Sequence, residues 1–130
     1  MVGRRVTGSE AGDAALGALR RELARGTTEL AVLSVLNAGK RYGYALLKVL
    51  QEAGPGVLDV KEGTLYPLLH RLEDAGWITG EWQAEGRTRP RKYYAITEEG
   101  AERFDLLRGE WTALMEGMQE LLRSLDEVTP

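Results

Sequence analysis

Lys61-Glu62-Gly63-Thr64-Leu65-Tyr66-Pro67-Leu68-Leu69-His70-Arg71-Leu72-Glu73-Asp74-Ala75-Gly76 is the stretch on which the reading of this chain turns. Leu65, Leu68, Leu69 and Leu72 recur at offsets 0, 3, 4 and 7, the period of a helix buried on one side. The other side carries Thr64, Tyr66, His70 and Arg71, all able to hydrogen-bond and none acidic. Gly76 is a fitting C-terminal stop. Pro67 lies close to the start, where the first turn has unsatisfied donors anyway, if the helix begins near Gly63 or later. A helix built this way can rest on a core and present donors outward.

Working back toward the N-terminus, Tyr42 to Ala53 predicts a helix with Leu46, Leu47, Val49 and Leu50 apolar. Glu29 to Ala38 predicts another, capped by the threonines at 27 and 28 and ended by Asn37 and Gly39. Lys40-Arg41 reads as a polar turn between them, and Gly54-Pro55-Gly56 as a turn before the decisive stretch. Val57 to Val60 has room for one small strand at most. Residues 13–25 predict an additional short helix with Asp13 as N-cap and Leu16, Leu19 and Leu23 on one face. Residues 1–12 read as a mobile tail, with Arg4 and Arg5 as candidates for extra phosphate contacts.

Working forward, Trp77 to Gln83 and Lys92 to Thr97 are rich in aromatic and β-branched residues. Ile78 and Trp82 share a strand face, as do Tyr94 and Ile96. The intervening loop, Ala84 to Arg91, holds Arg87, Arg89 and Arg91 and is followed at once by Lys92, with no acid over residues 86–93. That predicts a β-hairpin with a basic tip directly after the donor-bearing helix, which is a winged helix-turn-helix. The cations suit phosphates, and Pro90 stiffens the tip. The net charge of −3 is no obstacle, because residues 98–130 alone carry nine acids against three arginines. Salt screens that distant charge beyond about 10 Å at 0.1 M.

Thr97-Glu98-Glu99 opens a last helix with a hydroxyl cap and two acids in its first turn. Phe104, Leu107, Trp111, Leu114, Met118, Leu121, Leu125 and Val128 alternate steps of three and four, a heptad seam. A helix of this length exceeds what a small winged domain can cover. A second copy is the expected partner, which makes Phe104 to Leu125 dimerisation residues. The fold class is therefore mainly α with a small β-hairpin. It divides into the tail at 1–12, a winged helix-turn-helix domain at 13–97 and a dimerisation helix at 98–130.

Gly63-Thr64-Leu65-Tyr66-Pro67-Leu68-Leu69, Arg71-Leu72-Glu73, Gly76 and Arg91-Lys92-Tyr93-Tyr94 with Ile96-Thr97 and Gly100 together resemble the signature of PadR-family transcriptional regulators. Tyr42-Gly43-Tyr44 also resembles it. The single long last helix is similar to the short subfamily. Pro90 stands where the family usually has glycine, and Trp77 where a smaller aliphatic is common. The resemblance implies a homodimeric repressor on double-stranded DNA with a pseudo-palindromic operator, relieved by a small-molecule effector. The expected DNA-binding residues are Lys61, Thr64, Tyr66, Pro67, His70 and Arg71 on the reading helix, with Arg87, Thr88, Arg89, Arg91 and Lys92 on the wing. In some short-subfamily members a tryptophan at this helix position stacks on flat aromatic drugs. The resemblance thus makes Trp111 a candidate ligand platform for a planar aromatic effector, beside Arg108, Met115, Leu23 and Leu30. The other reading of Trp111 is a large residue in the seam.

Other functions are less well served. One histidine and no cysteine leave no metal cluster, and no nucleophile–base pair or phosphate loop is present, so neither an enzyme nor a cofactor is expected. No apolar run approaches the roughly 18 residues of a membrane span, and the two arginines near the start precede no apolar segment of a signal peptide. A cytoplasmic location is expected. The alternative function is a winged-helix protein–protein adaptor with no direct DNA role, which predicts that neutralising the wing changes nothing.

Overall fold

Side chains three and four residues apart share one side of a helix, and three such sides facing inward make a core. The computed structural model describes residues 10–53, 58, 60–84, 86 and 89–128. The elements run α1 (Glu10–Ala24), α2 (Thr28–Ala38), β1 (Arg41–Tyr42), α3 (Gly43–Glu52), α4 (Glu62–Asp74), β2 (Ile78–Gln83), β3 (Arg91–Ile96) and α5 (Glu98–Val128). Inner faces of α2, α3 and α4 bury Val32, Leu33, Leu36, Leu46, Leu50, Leu65, Leu69 and Leu72 against one another. Val60, Ile78, Tyr94 and Phe104 close that core.

The expected hairpin is the larger part of a three-stranded antiparallel sheet of order β1-β3-β2. Ile78 pairs with Ile96 and Gln83 with Arg91, while Arg41 and Tyr42 pair with Tyr94 and Tyr93. Arg41 is therefore not in a free polar turn. Two residues between helices are too short to show a strand period, and only the exposed edge of β3 gives them partners. Residues 57–60, with room for one small strand at most, form none at their described positions: Val60 is buried in the core without strand pairing, and Gln51 Nε2 donates to its carbonyl at 3.0 Å. Residues 57 and 59 lie outside the described residues.

Caps decide the joints. Gly76, at φ 81°, lets α4 end with Trp77 N–H donating to Leu72 O and Gly76 N–H donating to Glu73 O, both at 3.0 Å. That is the paired glycine-dependent helix stop. Thr97 then caps α5 by accepting from Gly100 N–H at 3.0 Å, and its hydroxyl donates to Gly76 O at 2.7 Å. A Cβ on Gly100 would lie 1.9 Å from Trp77 O, so the start of α5 is pressed onto the turn that ends α4. Thr27 departs from expectation. Its hydroxyl turns back to Ala24 O and finishes α1 instead of capping α2. The helix α1 also begins at Glu10, so Asp13 lies within it and residues 10–12 are not tail. Arg4 and Arg5 lie outside the described residues.

The long helix α5 has two halves. Near its start, Phe104 is buried, Leu107 packs on the core, and Arg103 Nε reaches Glu29 Oε2 at 2.9 Å with its guanidinium 4.3 Å over the Trp77 ring. Farther along, Trp111, Leu114, Met118, Leu121, Leu122 and Leu125 are all exposed, Leu125 by 59%. In α1, Leu16, Leu19 and Leu23 are exposed too, Leu23 by 73%. Phe104 is thus a core residue of its own chain and is lost from the expected dimer seam, because the heptad spacing continues the same face from the domain into the open.

Candidate nucleic-acid interface

The leucine side of α4 is buried, so the donor side must face out, and Lys61, Thr64, Tyr66, Pro67, His70 and Arg71 are all exposed. Lys61 sits at the helix N-cap in extended conformation, its carbonyl accepting from Leu65 N–H at 2.9 Å. The helix starts at Glu62, so Pro67 falls inside it. Its missing N–H would have met Gly63 O. Both residues are exposed, so no buried acceptor is orphaned.

A groove of about 850 Å³ runs between the wing and the ends of α3 and α4. It brings together Tyr66, Arg89, Arg91 and Lys92 from the expected set. It adds Tyr44 and Trp82, which sequence reasoning did not place there. Thr64 and Arg71 point to the other flank of α4, where they line a cavity of about 350 Å³ with Arg21, Arg25 and Leu68. Helical spacing sets Pro67 and His70 between the two flanks, and neither lines a cavity. Arg87 and Thr88 lie outside the described residues.

The wing cations are not equivalent. Lys92 Nζ lies 3.1 Å from Glu73 Oε1 and 5.3 Å from the Tyr94 ring centroid. That pair is partly buried, so Lys92 pins β3 to α4 and is not a free phosphate contact. A Cβ on Gly80, diagonal to it on β2, would stand 2.4 Å from Lys92 Cε, so that glycine makes room for this path. Arg91 is exposed and stacks 4.5 Å over the Tyr42 ring, which holds its guanidinium at the groove. Arg89 is exposed beside Pro90. Four tyrosines, Tyr42, Tyr44, Tyr66 and Tyr94, line the groove. Burial, then the Glu62 charge, raises the Tyr66 phenol above its ordinary value; burial also raises Tyr94, with Lys92 opposing and Glu73 reinforcing. Both phenols stay protonated at neutral pH. A Cβ on Gly43 would meet the Tyr66 hydroxyl at 3.0 Å, so the glycine lets that ring lie against the start of α3.

Sequence reasoning missed Trp82 by pairing it with Ile78. The two share strand parity, but Ile78 is 1% exposed and Trp82 70%. The strand runs on past the edge of the core. Its partner in register, Lys92, was the available signal, since a residue opposite the basic run belongs to the wing.

A separate cavity of about 410 Å³ lies where α5 leaves the domain, lined by Leu30, Ser34, Phe104, Arg108, Trp111 and Thr112 among others. It unites three of the five expected ligand residues: Leu30, Arg108 and Trp111. Leu23 and Met115 do not line it, because Leu23 is on the open side of α1 and Met115 is a turn beyond Trp111. Among the described residues no group of acids and histidine is placed to hold a metal, and no helix is long and apolar enough to cross a membrane.

Residues 32–106, from the core of α2 to the point where α5 leaves the domain, match the transcriptional regulator PadR-like family. The chain is 38% identical to a PadR family transcriptional regulator from Eggerthella lenta DSM 2243, whose crystal structure it overlays with a TM-score of 0.75 over 88% of this chain and 97% of that one. A PadR-like transcriptional regulator from Bacillus cereus is 31% identical with a TM-score of 0.69, covering 78% of this chain and 96% of the other. The negative transcriptional regulator PadR of Bacillus subtilis is 29% identical over 72 residues, 55% of this chain but 40% of its own length. The chain therefore spans well under half of that relative, while it matches the Eggerthella regulator almost end to end. With its winged helix-turn-helix and the long helix α5 that follows it, the chain belongs to the PadR-like family of transcriptional regulators.

Proposed function

We propose that this regulator binds double-stranded DNA as a two-fold dimer, in the cytoplasm, and represses transcription from a pseudo-palindromic operator. The observation that carries the reading is one groove in which Tyr66 of α4 meets Arg89 and Arg91 of the wing, with no acid among its described lining residues. In this reading α4 enters the major groove and the two arginines hold flanking phosphates. Lys61, Thr64, Pro67, His70 and Arg71 extend the reading face, and Arg87 and Thr88 extend the wing. The exposed strip on α5 from Trp111 to Leu125 supports pairing with a second copy, with Leu16, Leu19 and Leu23 of α1 as a further apolar surface. A leucine fully buried there gains on the order of 1.5–3 kcal/mol. Pairing two copies sets two α4 helices on two half-sites. The name of the Bacillus subtilis relative, a negative regulator, supports repression.

The cavity at Leu30, Arg108 and Trp111 supports an effector site for a planar aromatic molecule. It opens beside the dimer strip, so an occupant there changes how the two long helices meet. The deciding experiment recovers duplexes from a random-sequence library with the wild-type chain and measures their binding across a salt series. Arg89→Ala/Arg91→Ala is expected to weaken binding at every sequence and to shallow the salt slope by about two phosphates. Failure to recover any preferred duplex defeats the reading.

A further inference from the structure

Trp82 is the most solvent-exposed aromatic ring of the described residues to lie outside the strip proposed for dimerisation. It is 70% exposed at the wing end of β2, opposite Lys92, whereas the other end of that strand, Ile78 against Ile96, is buried next to α5. An indole in that position contributes nothing to the core. It forms one wall of the groove described above, and Tyr44 of α3, 52% exposed, lines the same groove with Lys48 Nζ 5.7 Å from its ring centroid. Arg89 and Arg91 line the same space, and no Asp or Glu does so among the described residues.

Cations alone are enough to hold phosphates. Exposed rings set between cations fit a ligand that alternates charge with apolar surface at short intervals. A sugar–phosphate strand has that character: each phosphate is followed by a deoxyribose whose C–H face packs on an aromatic ring. We infer that Trp82, with Tyr44, is an aromatic contact for the DNA backbone, packing deoxyribose while Arg89 and Arg91 take the neighbouring phosphates. This rests on the proposed DNA-binding role and adds to it a contact that is apolar and therefore insensitive to salt.

That difference supplies the test. Trp82→Ala and Trp82→Phe are compared with wild type on a duplex recovered from a random-sequence library, from low to high salt. Trp82→Ala is expected to bind about tenfold more weakly at every salt concentration with the slope unchanged, because no counterion is released at an indole. Trp82→Phe is expected to recover most of that loss. Arg91→Ala, by contrast, shallows the slope. The Trp82-dependent part of the emission, obtained by difference from Trp82→Phe, is expected to change when the duplex is added. Wild-type affinity in Trp82→Ala together with unmoved emission overturns the inference while leaving the DNA reading intact. Emission that responds to a planar carboxylate such as naphthoate, with DNA affinity unaltered by Trp82→Ala, also overturns it and makes the groove a small-molecule site. A chain that recovers no duplex at all removes both.

Discussion

Helices α4 and α5 carry the same kind of apolar repeat and meet opposite fates. In α4, Leu65, Leu68, Leu69 and Leu72 are each 5% exposed or less. In α5, the run from Trp111 to Leu125 continues the face begun by Phe104, yet lies open. Spacing tells which side of a helix is apolar; it does not tell what covers that side. The helix α4 is 13 residues long and is spanned by α2, α3 and the sheet, whereas α5 has 31 residues and runs about 46 Å, well past them. The first half of α5 behaves like α4. The second half carries the apolar surface of a core, yet among the described residues Leu114, Met118, Leu121 and Leu122 stay exposed.

The comparison is sharpest at Leu69. Truncating it to alanine removes a fully buried side chain, with an expected loss of about 2–5 kcal/mol of unfolding free energy in urea melts. The loss should be the same at every protein concentration. Next in size is Gly100→Ala, which tests whether the start of α5 belongs to the α4 side of the contrast. Its added methyl meets Trp77 O, so the helix must shift, at an expected cost of about 1–3 kcal/mol in the same melts. An unchanged midpoint there would mean that the joint is loose and that α5 is not docked as seen.

Leu121→Ala addresses the open half. It should leave the fold of the winged domain intact and raise the dimer dissociation constant about tenfold, roughly 1.4 kcal/mol, read by sedimentation across a dilution series. A wild-type chain that sediments as a monomer at every concentration would break the comparison, since the apolar half of α5 would then be stable uncovered. The smallest effect concerns alkali. Tyr94 beside α4 has a phenol raised above its ordinary value of 10.0, so the folded state holds its proton more tightly than the unfolded chain. Its contribution is complete below pH 10 and is lost as pH climbs through the raised folded value. Tyr94→Phe should flatten that alkaline limb while leaving the neutral pH baseline shape unchanged.

Which faces carry the candidate site residues was partly legible before any fold was known. Residues of α4 that alternate leucines with donors can only be half buried, and two aromatic, β-branched runs on either side of a basic stretch read as a hairpin. What was not legible came from chain geometry. Lys92 reads like its arginine neighbours, but β3 carries it to Glu73, nineteen residues away, and the charge is used inside the molecule. Trp82 reads like a core residue because its parity matches Ile78, and only the point where the strand leaves the core exposes it. Residues 41 and 42 become a strand only because β3 offers them an edge.

By itself the sequence determined the helices to within a turn at their ends, which face of each is apolar, where Gly76 and Thr97 end α4 and begin α5, and that a basic hairpin follows α4. These depend on period, capping and charge, which act within a few residues. The tertiary structure decided the rest. It determined that Phe104 is core and Leu114 is not, that Arg89 and Arg91 share a groove with Tyr66 while Lys92 is tied down, and that Leu30, Arg108 and Trp111 line one cavity without Leu23 or Met115. Burial and juxtaposition depend on where the neighbouring elements end, and no spacing within one element contains that length.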